Sequence, residues 1–208
     1  MKNGVGTLTL TGANTYSGPT IVNAGTLIVG SSSLASGGYV VADNGGFGTI
    51  VQTAGAQLNV ASLSMSGPVS STLSFDLGSF GNPTSAPLNV TGTLTASGNF
   101  TVNVADTVPQ VGQFSLIKYG TLSGTPNFTL GALPTGVTAT LVNNTANNSI
   151  DLNITGVNLP RWDGEAGGNW DIGLTTNWVN LGTSLPTFYG DGNAVMMNDL
   201  ALGTTTIN

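Results

Sequence analysis

The sequence predicts an all-β chain, a right-handed parallel β-solenoid with a more irregular β region and a tryptophan-rich connector at its C-terminal end. Three observations predict it. Short strands of alternating polarity recur behind the same Gly-Thr-Leu opening. Glycine-rich turns separate them, and no stretch carries a helical period. Charge is nearly absent: 3 Lys+Arg and 9 Asp+Glu among 208 residues, or 6% charged, against about 25% in an ordinary soluble domain.

The first two strands lie in Gly6–Gly30. Leu8 and Leu10 alternate with Thr7, Thr9 and Thr11, and Leu27 and Val29 repeat the pattern, because successive strand side chains point to opposite faces. Ala13–Pro19 supplies the turn between them. Gly-Thr-Leu returns at Gly92 and Gly120, with a degenerate copy at Gly55-Ala56-Gln57-Leu58. The unequal intervals describe an irregular solenoid whose coils carry loop insertions. Further alternating runs put Leu73, Phe75 and Leu77 on one face, then Phe100, Val102 and Val104, then Ile150, Leu152 and Ile154. Turn signals stand at Ser36-Gly37-Gly38, Asn44-Gly45-Gly46, Gly81-Asn82-Pro83 and Leu133–Gly136.

Residues 1–109 therefore read as solenoid coils. Residues 110–158 hold longer runs at Gln113–Tyr119, Asn127–Leu130, Val137–Val142 and Ser149–Thr155, the last two joined across the polar tract Asn143–Asn148. This pattern fits a β-meander or sandwich-like region that continues the solenoid or packs on it. Residues 159–208 differ again: Trp162, Trp170 and Trp178 recur every eight residues among several glycines, with Arg161, Asp163, Glu165 and Asp171 alongside. They read as a connector followed by the start of a next repeat block.

The strand–turn–strand unit Gly6–Gly30 resembles the autotransporter-associated β-strand repeat of large bacterial surface proteins. The stretch around Phe114–Gly124, Leu133–Val137 and Ala139–Asn144 is similar to segments between such repeats, and the tryptophan-rich segment resembles the connector between repeat blocks. The resemblance implies a secreted or cell-surface location and a structural role as one unit of a tandem array, forming a stiff, protease-resistant stalk or filament. The partner it implies is a further copy of the same unit, head to tail. Neither end shows a polar cap: Lys2-Asn3-Gly4 leads straight into a strand, and Thr204–Ile207 ends inside an alternating run. Head-to-tail association is expected on that ground as well.

The composition speaks against several other classes. A net charge of −6 with Lys2, Lys118 and Arg161 scattered singly offers nothing to neutralise a phosphate backbone, so no nucleic-acid partner is expected. No apolar run approaches the ~18 residues of a membrane helix, and no signal-peptide pattern opens the chain, so membrane insertion by this segment is not expected. A hydrophobic content of 39%, placed in alternation, separates the chain from disordered low-complexity sequences. Without His or Cys, Ser–His and Cys–His catalysis is excluded. A carboxylate pair would need two acids held about 5–10 Å apart across a cleft; here the acids are spread one per strand or loop. The chain reads as a non-enzyme, with a polysaccharide-active enzyme as the third choice.

Two candidate sites remain. Trp162, Trp170 and Trp178 form either a glycan-stacking platform, which would make the chain an adhesin module, or a local structural clamp; the clamp is the preferred reading. Asp191, Asn193 and Asp199 carry hard oxygen ligands around Gly192 that suggest calcium. They lack the regular spacing and closing Glu of a calcium loop, and a β-turn is the preferred reading. No cofactor or metal is expected to be required.

Overall fold

The computed structural model describes residues 1–34, 37–67, 70–106 and 108–208; of the turn signals above, Ser36 falls outside the described residues. Among them there are strands and no helices. The chain winds into parallel rungs arranged in rows. The first row stacks β1 (Thr7–Leu10), β3 (Thr26–Gly30), β5 (Gly46–Ile50), β8 (Ser71–Asp76), the last part of β9 (Leu88–Ala105) and β11 (Pro126–Leu130). The second stacks β2 (Thr20–Val22), β4 (Tyr39–Val41), β7 (Leu63–Ser66), the middle of β9 and the end of β10 (Gly112–Ser123).

A third row begins only at β6 (Leu58–Val60), followed by the start of β9 and the middle of β10. The coil grows accordingly. In the first row Thr7 stacks on Thr26 and Thr26 on Gly46; the later steps, from Gly46 to Thr72, Ser71 to Phe100 and Phe100 to Phe128, are longer because they include a third strand. β9 passes through all three rows as one continuous strand.

Gly-Thr-Leu marks two different rows. At Gly6 and Gly25 it opens the first row, where Thr7 pairs with Thr26 and Leu8 with Leu27. At Gly92 and Gly120 it opens the second, where Thr93 pairs with Thr121 and Leu94 with Leu122. The reason is steric and common to both corners. A Cβ on Gly25, whose φ is +69°, would stand 2.4 Å from the Gly6 carbonyl oxygen, and one on Gly92 would stand 2.5 Å from that of Ala61. A corner where one coil's backbone lies on the next admits only glycine.

Alternation places one apolar column per inward position. Leu8, Leu27, Phe47, Leu73, Val102 and Leu130 stack in register, and Leu10, Val29, Thr49, Phe75 and Val104 form the next column. Most of these side chains are buried, as are Val22, Val41, Met65 and Ala96 of the second row. The alternation of the first two Gly-Thr-Leu strands predicts Leu8, Leu10, Leu27 and Val29 in the interior, and Leu8 departs from it: it is 43% exposed and Leu10 is only half-buried, while Leu27 and Val29 are buried. β1 is the terminal strand of its row, so its inward side chains pack against one rung and not two.

Thr49 is the polar exception within a column. It is 1% exposed and its hydroxyl has no hydrogen-bond partner. Thr49→Val, of nearly equal shape, removes that unsatisfied group and should raise stability by about 1 kcal/mol. Equal or lower denaturant midpoints for the variant would contradict a dry interior at this column.

At the far end the pairing changes sense. β10 lies between β9, to which it is parallel, and β13 (Ser149–Val157), to which it is antiparallel. β13 forms a hairpin with β12 (Val137–Asn144), so the large sheet ends in two antiparallel strands. The chain then leaves through Leu159 into a separate three-stranded antiparallel sheet of β14 (Pro160–Trp162), β15 (Trp178–Asn180) and β16 (Leu185–Thr187).

Candidate functional site

The three tryptophans converge on the small sheet. Trp162 and Trp178 face each other across β14 and β15, directly paired in register, with ring centroids 5.1 Å apart at 87°. Trp170, on the intervening loop, meets Trp178 edge-on at 5.3 Å and Tyr189 at 5.3 Å; Tyr189 also lies 5.8 Å from Trp178. Edge-to-face packing of this kind suits the ring quadrupoles. Trp162 is 3% and Trp178 1% exposed, while Trp170 is 38% exposed. Two of the three rings therefore present no free face to solvent.

Polar contacts close the unit around those rings. The Trp162 indole N–H donates to the Thr204 carbonyl at 2.9 Å. The buried Asp163 carboxylate lies 3.7 Å from the Arg161 guanidinium and accepts from the Leu202 N–H at 3.3 Å. Asn177, wholly buried, donates its side-chain N–H to the Asn169 carbonyl at 2.8 Å. The last residues return to the connector loop: the Asn208 N–H donates to the Gly168 carbonyl at 2.7 Å. Nearby, Asp171 accepts from the Thr175 hydroxyl and from the Thr175 N–H, and these bonds hold its carboxyl below the usual range.

Asp191, Asn193 and Asp199 are not gathered into such a cluster. The Asn193 N–H donates to the Gly190 carbonyl at 3.0 Å, and Gly192 has φ +82°, the geometry of a tight turn. Asp191 and Asp199 are both exposed. Among the described residues no group of three or more Asp, Glu, His or Cys is placed to hold a metal ion.

A second polar centre was not singled out in the sequence. Asp151, on β13, is 3% exposed. Its carboxylate accepts from Gln113 of β10 at 2.9 Å, Asn144 of β12 at 2.9 Å and Ser149 of β13 at 2.7 Å. One buried charge thus ties three neighbouring strands. Burial pushes its pKa up, but the hydrogen bonds from Asn144, Ser149, Gln113 and Ser115 together outweigh that and hold it below the ordinary carboxylate value. A carboxyl whose pKa is lower in the fold than in the open chain stabilises the fold above ~pH 4, and that stability is lost as pH falls through the folded pKa. Asp151→Asn should therefore lower the denaturant midpoint at neutral pH and flatten its decline toward acid. Parallel acid limbs for variant and wild type would show that Asp151 is not linked to folding.

The geometry defines the chain first as a parallel β-solenoid with an appended aromatic-cored sheet. Residues 2–29 match the family model described as passenger-associated-transport-repeat, a span that takes in β1, β2 and nearly all of β3. The match falls on the unit whose Gly-Thr-Leu strands carried the resemblance to the autotransporter-associated repeat. Neither curated proteins nor solved structures give a match.

Proposed function

We propose that this chain is a structural repeat unit of a secreted or surface-exposed bacterial protein, and not an enzyme, serving as a stiff and protease-resistant length of stalk. The observation that carries this reading is the in-register stack of parallel rungs over one core that runs from Val22 to Leu159. In such an array each coil buries the face of the next, so the shape extends by repetition and not by enclosing a site. The passenger-associated repeat over residues 2–29 supports export and surface display. The tryptophans act as a clamp that folds the connector, since Trp162 and Trp178 are consumed in its core.

Further copies of the unit are the proposed partners. Leu8, Leu10 and Tyr16 line a depression of about 310 Å³ at the β1 end of the solenoid, and a strand laid along β1 would cover it. Limited digestion with proteinase K, which does not depend on the three basic residues, tests the stalk. A resistant core that includes the solenoid is expected, and rapid reduction of the native chain to peptides would rule the stalk out. Sedimentation tests the stacking: association that grows with concentration is expected, whereas a monodisperse 20.8 kDa particle at high concentration would defeat it.

A further inference from the structure

Two of the three Lys and Arg side chains are engaged. The Lys2 ammonium donates to the Gly4 and Ala24 carbonyls, at 2.6 Å for Ala24, and Arg161 lies against Asp163. Lys118 is different. It is exposed on the outer face of β10, and among the described residues it makes no ion pair. It stands in a groove of about 750 Å³ on the third row, floored by Asn89, Gln113, Ser115 and Lys118 and walled by the loop through Thr84 and Ser85.

Both floor and wall are pinned. Asn82 donates to the Gln110 carbonyl at 3.0 Å and accepts from the Gln110 N–H at 3.2 Å, and Gln57 donates to the Ala86 carbonyl at 3.1 Å. On the floor Asn89 donates its side-chain N–H to Asn59 Oδ1 at 2.8 Å, and Gln113 donates to Asp151 Oδ2 at 2.9 Å. Asn89 and Gln113 each spend one side-chain N–H on these bonds and keep the oxygen and a second N–H. The groove therefore presents amide oxygens and N–H groups, the hydroxyls of Thr84 and Ser85, and one ammonium. The Asp151 carboxylate is buried and occupied by its own donors.

We propose that this groove binds an acidic saccharide, a short chain of pyranose rings bearing a carboxylate. The sugar hydroxyls would donate to Asn89 and Gln113, and the carboxylate would meet Lys118. A charge-assisted bond at that position sets the preference for an acidic over a neutral ring. The net charge of −6 disfavours undirected attraction of polyanions, so recognition has to be local. This proposal does not depend on the stalk reading, because a stalk without a ligand and a ligand-binding solenoid outside any stalk are both coherent outcomes.

Calorimetric titration of the full chain with trigalacturonate and trimannuronate tests it, with a neutral galactose trimer and inorganic phosphate as comparison arms. Saturable binding of at least one acidic trimer is expected. Lys118→Gln should weaken it at least about tenfold with the melting temperature unchanged, Lys118→Arg should retain part of it, and Lys2→Gln should leave it intact. The proposal is overturned if neither acidic trimer binds, if Lys118→Gln binds as tightly as wild type, or if the neutral trimer or phosphate binds as well as the acidic trimers.

Discussion

A Val102→Asp chain should fail to fold at ambient temperature. Val102 has no exposed surface and sits in the middle of a column, with Leu73 on one side and Leu130 on the other. It also belongs to β9, the strand that passes through all three rows, so damage there reaches every face of the coil. An unpaired carboxylate in such a place costs several kcal/mol even after relaxation, a large share of the roughly 5–15 kcal/mol that holds a domain together. Leu8→Asp introduces the same group into the same column at its open end, where the side chain is 43% exposed, and should cost far less. Thermal and urea unfolding followed by circular dichroism measure both variants. A Val102→Asp transition close to that of wild type, or equal losses for the two variants, would show that the column is not the core of the solenoid.

That contrast also shows what the sequence could and could not express. Alternation is a local code, so the inward faces of β8, β9 and β13 were legible residue by residue, and Phe75, Val102 and Leu152 are buried as expected. Which strand lies on which is not a local property. The tripeptides at Gly25 and Gly92 look alike because both corners demand glycine, yet they open different rows. The unequal spacing of Gly-Thr-Leu was visible, but its main cause, a third row that joins only at Leu58, depends on pairing over about thirty residues. The exposure of Leu8 follows from its place on a terminal strand, which its own sequence does not record.

The sites follow the same division. Three tryptophans within a glycine-rich stretch stood out by residue type alone, but which of their rings are buried, Trp162 and Trp178 and not Trp170, is set by the folding of the connector. Tyr189, the fourth ring, gave no signal, because it joins the cluster through the path of the chain after β16. Asp151 gave none either. In the sequence it is one more polar position in an alternating strand, and its role depends on Gln113, which lies on β10, 38 residues earlier in the chain. Lys118 was noted as an isolated charge; the groove around it is made by a loop some thirty residues earlier in the chain.

Trp178→Ala should unfold the connector sheet and leave the solenoid standing. Trp178 is 1% exposed, lies on the central strand of that sheet and touches Trp162, Trp170 and Tyr189. Replacing a buried tryptophan by alanine typically costs about 3–5 kcal/mol. A three-stranded unit of very short strands has little else with which to absorb that loss. The solenoid core is a distinct cluster, ending at Val157 and Leu159, and Trp162 and Trp178 are not part of it. Leu181 and Met196 do pack against it, so they are the contacts through which damage could spread. The expected signature is a red-shifted emission from Trp162 and Trp170, rapid proteolytic loss of the chain beyond Leu159, and a main thermal transition close to that of wild type. Trp178→Phe, which keeps an apolar ring in the cavity, should recover most of the native emission. If Trp178→Ala instead shifted the main transition down as a whole, the connector would be an integral part of the solenoid; if it left emission and proteolysis unchanged, the aromatic cluster would not be what holds residues 160–208 together.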